Sequence, residues 1–236
     1  MDDRLMSDEE KQTSLGEAVD QNLSPVIPVF PLTGAVMLPG GELPLNIFEP
    51  RYLAMVRDAM AHHRLVGMAQ PNERATNPTA GPDSPPPVFS IGCVGRISQF
   101  SETDDGRFLI TLTGLSRFEI IRELDTTTPY RQFEVDYAKF TADRAADGDR
   151  SEIDRGRLKA ALMAYMDDKG LTADWDAIDA APADMLVNSL AMICPFGAAE
   201  KQALLEAPTV SERADTMITL MSFSLADMGS PSDQVN

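Results

Sequence analysis

The stretch from Ile27 to Tyr52 places the tightest limits on what this chain can fold into. It reads Ile-Pro-Val-Phe-Pro-Leu-Thr-Gly-Ala-Val-Met-Leu-Pro-Gly-Gly-Glu-Leu-Pro-Leu-Asn-Ile-Phe-Glu-Pro-Arg-Tyr, apolar throughout and carrying proline at 28, 31, 39, 44 and 50. Proline fixes φ and donates no hydrogen bond, so none of these positions suits the middle of a sheet or a helix. The expectation is a set of short strand pieces broken by turns at Thr33-Gly34 and Pro39-Gly40-Gly41. A helix then opens at Glu49-Pro50, where proline is tolerated in the first turn.

Beyond this stretch the period changes. Tyr52, Val56 and Met60, with Leu53 and Ala59 beside them, form one helical stripe that fades at His62-His63. Leu65 to Ala69 reads as a buried strand, and residues 71 to 87 as a proline-rich surface loop. Val88 to Phe100 and Arg107 to Leu124 form a hairpin whose tip, Asp105-Gly106, is a strong turn signal. Gly92, Gly95 and Gly114 within it predict bends that curl the sheet toward a barrel. Tyr130 to Phe140 alternates as a further strand.

At residues 141 to 150 the composition becomes small and charged, the best boundary in the chain. After it come helical stripes: Leu158, Leu162, Tyr165 and Met166, then Leu186, Ser189, Leu190 and Ile193, then Glu200 to Glu206. The last helix carries Val210, Ala214, Met217, Ile218 and Met221, with Thr209 and Glu212 fitting a capping box. The predicted organisation is α+β: a twisted, partly closed β-barrel at 25–140, a linker at 141–150 and a helical bundle at 151–225. Acidic residues 1–24 and residues 226–236 read as disordered tails.

With 236 residues the chain is long enough for a sizeable core, and its net charge is −17. Such an acidic surface repels phosphate backbones and anionic lipid, which disfavours nucleic-acid and membrane partners. The N-terminus has no apolar run of a secretory signal, and no segment has the length of a membrane span. Cys93 and Cys194 read as buried thiols of a cytoplasmic protein.

Motifs for catalysis are scarce. A phosphate-cradling Gly-x-x-x-x-Gly-Lys-Ser/Thr loop is not found, and Gly92 with Gly95 sits inside a strand. Two cysteines and two histidines make a poor zinc set; His62 and His63 are adjacent, point apart on a helix, and suit capping of its last carbonyls. Ser84, in the proline-rich loop, has no rigid element to place it as a nucleophile. Asp104-Asp105 and Asp167-Asp168 read as solvated pairs. No cofactor or metal is expected. Most of the 13 methionines fall on helical apolar faces and read as core. Met37 is different: beside Leu38 and Pro39 in a loop, it fits either core or a recognition surface.

The segments Ile27 to Leu32, Met37 to Gly40, Leu43 to Leu45 and Ile47 to Tyr52, taken in order, resemble the start of the Lon protease N-terminal domain. Ile91 to Ile97, the Asp104-Asp105-Gly106 tip, Thr113 to Phe118, Glu200 to Glu206 and Arg213 continue the likeness, which runs from about residue 25 to 224. It implies a PUA-like barrel joined to helices, and a bacterial stand-alone substrate-binding-type domain without the ATPase and peptidase modules of full-length Lon. The implied function is non-catalytic binding of exposed apolar polypeptide segments, or docking on a full-length Lon protease. Candidate peptide-binding residues are Met37, Leu38, Phe48, Arg51 and Tyr52, although Arg51 equally suits a pair with Glu49 and Tyr52 the core stripe. The competing readings are a hydrolase with an unrecognised site and an RNA-binding PUA-like domain.

Overall fold

The structure, a computed structural model, describes residues 23–75, 85–145 and 151–228. Six strands and six α-helices are described: β1 (Val26–Pro31), β2 (Glu42–Ile47), α1 (Pro50–Ala61), β3 (Leu65–Ala69), β4 (Ile91–Glu102), β5 (Phe108–Glu123), β6 (Gln132–Asp136), then α2 (Arg155–Lys169), α3 (Trp175–Ala180), α4 (Ala183–Ile193), α5 (Ala198–Glu206) and α6 (Val210–Met228). A 3₁₀ helix, Ala138–Arg144, follows β6. The last predicted strand therefore stops short of Phe140. The expected tails, Ser84 and residues 146–150 lie wholly or mostly outside the described residues.

The strands form one mixed sheet in the order β2-β5-β4-β3-β1-β6, and β6 pairs again with β5. The sheet thus curls back on itself but is not a clean barrel. Long β5 shares one edge between two partners, β2 along Phe108 to Thr113 and β6 along Glu119 to Glu123, leaving β2 outside the curl. Strand β1 overturns the expectation that its prolines keep out of the sheet interior. Its first half, Val26 to Pro28, pairs only with β6, and its second half, Val29 to Pro31, pairs only with β3. Each proline has a single paired neighbour, so its missing N–H leaves no ladder broken.

The β4–β5 hairpin turns where the sequence predicts. Thr103 and Arg107 close it, with Gly106 at φ 79° supplying the left-handed residue. Register shifts lie between Val94 and Gly95 and between Ile97 and Gln99. The glycines do more than bend the strand. A Cβ on Gly95 would run into the Met37 side chain, and one on Gly114 into the Leu38 carbonyl. Their bare backbones form a trough that receives the Met37–Gly41 loop. Gly40 N–H donates to the Gly114 carbonyl at 2.9 Å, and Gly114 N–H donates to the Gly41 carbonyl at 2.9 Å.

This placement corrects the reading of Met37 and Leu38 as a recognition surface. Both are fully buried, inside an apolar cluster that also holds Phe30, Leu186, Leu190 and Met217. That cluster runs unbroken from one face of the sheet into the helices. A second cluster, with Ile27, Val94, Phe118 and Phe133, fills the inside of the curl.

Polar side chains stitch the same seam. Asn188 donates to the Pro39 carbonyl at 2.9 Å and accepts from Arg213 at 2.7 Å, while Arg213 Nε donates to the Leu204 carbonyl at 2.8 Å. Arg117 of β5 and Asp143 of the 3₁₀ helix form a buried pair at 2.7 Å. Asp143 also accepts from the Arg117 backbone N–H at 2.9 Å, standing in for a strand where β5 has passed beyond β2. Asp143 therefore sits in the packed interior, although composition assigns it to a polar linker.

Candidate functional site

Helix α2 ends at Gly170, whose φ of 64° lets Leu171 N–H reach back 2.8 Å to the Met166 carbonyl. This left-handed cap turns the chain sharply and throws Leu171 clear of the helix. Three residues on, Asp174 caps α3 by accepting from the Ala177 N–H at 3.0 Å. Helix α3 is then pinned at its far end: one Arg155 nitrogen donates to the carbonyls of Ile178, Asp179 and Ala181. Pro182 starts α4 in a new direction.

The result is an open apolar groove of about 540 Å³ between α2, α3 and α4. Leu162, Tyr165 and Leu186 lie at its base, buried. Leu171, Met185 and Ile193 stand at its mouth, exposed to 45%, 49% and 73%. Volumes of about 300 to 1,000 Å³ with mostly apolar walls are typical of ligand sites. Burial pushes the Cys194 thiol at one wall up to about 11 and raises Tyr165. Both directions mark a dry floor that disfavours charge. Lys201 behind it is lowered by the same burial and spends its ammonium on the Met192 carbonyl at 2.8 Å.

The periodicity that placed Met185 and Ile193 in the core is corrected here. Ile193 keeps the helical phase of buried Leu186 and Leu190 and Met185 borders that face, but among the described residues no element covers them. Met163 is exposed as well, whereas Met55, Met217 and Met221 are buried. A sequence signal for the groove did exist in Gly170 and Asp174, a stop and a start only a few residues apart.

The remaining sequence candidates divide. Phe48, just before α1, is exposed to 62%. Arg51 pairs with Glu49 at 2.8 Å and stacks 4.5 Å from the Tyr52 ring centre. Tyr52 itself is buried edge-on against Phe30 at 4.4 Å, and burial raises its hydroxyl. Only Phe48 and Arg51 therefore reach solvent, on the sheet side and apart from the groove's lining.

Nucleophile chemistry finds little support. Burial drives the Cys93 thiol far up and Cys194 to about 11, so both stay protonated and unreactive at neutral pH. Tyr130 donates to Asp58 at 2.7 Å in a shallow cleft beside His62, but His62 Nδ1 is taken by the Asp58 carbonyl at 2.7 Å. That bond is the helix-end role expected of the histidine. Among the described residues no group of three or more His, Cys, Asp or Glu could hold a metal, and no helix is long and apolar enough to cross a membrane.

A curled mixed sheet thus carries a helical half with an open apolar groove. The model of the ATP-dependent protease La (Lon) substrate-binding domain matches residues 26–222, and the chain belongs to that family. Among curated proteins, Lon protease 2 of Myxococcus xanthus is 23% identical over 92% of this chain and 27% of its own length. Lon protease of Parabacteroides distasonis is 26% identical over 85% of this chain and 24% of its own. The chain thus spans about a quarter of these relatives. The Lon N-terminal domain protein from Xanthomonas campestris shares the fold with a TM-score of 0.59 at 22% identity, over 82% of this chain and 97% of that one. The N-terminal domain of Mycobacterium avium complex Lon protease gives 0.59 at 20% identity, over 84% and 98%.

Proposed function

We propose that this protein is a non-catalytic recognition module that captures exposed apolar segments of polypeptides in the α2–α4 groove. The observation that carries the reading is Leu171, Met185 and Ile193 standing open over an apolar floor in a member of a substrate-binding family. Adaptable methionine and branched aliphatic side chains around a dry floor suit many sequences rather than one. Phe48 and Arg51 supply a second contact at the sheet side, where an exposed ring lies beside a cation. The module works in the cytoplasm, with the curled sheet as a PUA-like scaffold over 25–140 and the helices over 151–225 as the binding half. Docking on a full-length Lon protease is the narrower form of the same reading, and a pull-down against that protease tests it.

The test is titration with a permanently unfolded model protein, followed by fluorescence anisotropy. Saturable binding is expected, and it disappears when Met185→Ser and Ile193→Ser are combined. Absence of binding at high micromolar concentration, in protein whose melting is normal, sinks the reading.

A further inference from the structure

The rim of the groove is as distinctive as its floor. Between Asp167 and Asp184 the chain carries six aspartates and one lysine. Asp174 lines the groove itself, and the others are carried by the same three helices around it, at the end of α2 (Asp167, Asp168), along α3 (Asp176, Asp179) and at the start of α4 (Asp184). Neighbouring cations offset few of them: Lys159 is bound to Asp179 at 2.6 Å and Lys169 to Asp168 at 3.1 Å. The Arg155 nitrogen at the end of α3 is committed to carbonyls. Among the described residues no ion pair engages Asp174, Asp176 or Asp184.

We propose that the occupant of this groove is a basic amphipathic segment, with an apolar face seated on Leu171, Met185 and Ile193 and flanking lysines or arginines on the aspartate rim. The inference rests on the polypeptide-binding reading above and narrows it to a substrate class. Charge decides between the occupants an apolar groove invites. The chain's own residues 1–22 hold seven acidic residues against two basic, and a second copy brings a net charge of −17. Both meet the rim with like charge, which costs binding free energy. A cationic partner gains from the same field, in affinity and in encounter rate. The geometry suits a helix, because apolar residues at i, i+3 or i+4 and i+7 present the narrow stripe that such a groove accepts.

Three labelled peptides test it at low salt. The first carries apolar residues at those positions with lysine flanks, the second keeps the apolar residues with glutamate flanks, and the third keeps the lysines with serine at the apolar positions. The lysine-flanked peptide is expected to bind about tenfold more tightly than the glutamate one, the sum of a few exposed charge pairs. Added salt narrows the gap. The combination Asp174→Asn, Asp176→Asn and Asp184→Asn closes most of it while leaving a capping residue at 174. Equal binding of the lysine and glutamate peptides overturns the charge inference and leaves the polypeptide reading standing. If neither apolar peptide binds, that reading fails too. If the serine peptide binds as well as the first, the surface is a plain polyanion, and the groove is not its site.

Discussion

The Met37–Gly41 loop and the α2–α4 groove are both rich in methionine and leucine, and they meet opposite fates. The loop has no secondary structure to hide it, yet it is sealed, because Gly95 and Gly114 leave a trough for it and Asn188 fastens Pro39 from the other side. The groove is built from regular helices with apolar stripes, yet it stays open, with α3 short and pinned by Arg155 to the start of α2. Exposure is therefore decided by what lies opposite a side chain, not by the kind of element that carries it.

The largest effect expected falls on the sealed seam. Arg117→Ala leaves Asp143 charged and buried and costs about 3–5 kcal/mol in urea unfolding. Replacing both partners by leucine recovers only part of that loss, because the Arg117 N–H and the Leu205 and Ala207 carbonyls lose their partners. A small cost for the single variant would mean that water reaches this part of the seam. Leu38→Ala comes next at about 3 kcal/mol, the usual toll of a cavity at a fully buried site. A loss below about 1 kcal/mol would place the loop nearer the surface than its burial says.

Alkaline pH sharpens the comparison from the groove side. Cys194 is raised from 9.0 to about 11 and Tyr130 from 10.0 to about 12, each chiefly by burial. The fold favours the protonated forms, so stability is fully present below pH 9 and is lost as pH rises through 11 to 12. Thermal melting across that range should fall for the native chain and fall less for Cys194→Ala. An unchanged slope in that variant would mean the groove floor is wetter than its lining suggests. The smallest effect belongs to the mouth: Met185→Ser and Ile193→Ser each shift unfolding by only about 0.5 kcal/mol, since neither side chain is packed. The same substitutions remove polypeptide binding, so stability and binding come apart at the groove.

Much of the fold could be read from residues alone. The Asp105-Gly106 hairpin, the Thr209 cap on the Glu212 N–H and the helix opened by Pro50 rest on local chemistry, and local chemistry is written in neighbouring residues. Long-range partners were not legible. Nothing near Pro28 says that β1 pairs with a different strand in each half, and nothing near Asp143 says that Arg117 will bury it. The site suffered most from this. Met37 and Leu38 carried a binding role because their cover comes from Gly114 and Leu190, far along the chain. Met185 and Ile193 carried a core role because periodicity fixes a face but cannot show what lies in front of it, which among the described residues is an open groove.

The Asn188–Arg213 bridge to Pro39 also has a bearing on how the chain is made. All six strands exist once Asp136 has been synthesised, but the residues that close over Met37 and Leu38 come only with α4 to α6. At about 5–20 residues per second, the stretch from Asp136 to Arg213 takes on the order of several seconds to emerge. During that interval a nascent chain presents the sheet face of the seam to chaperones. A ribosome-bound intermediate thus displays the apolar surface that the mature molecule hides, before the one the mature molecule displays has formed.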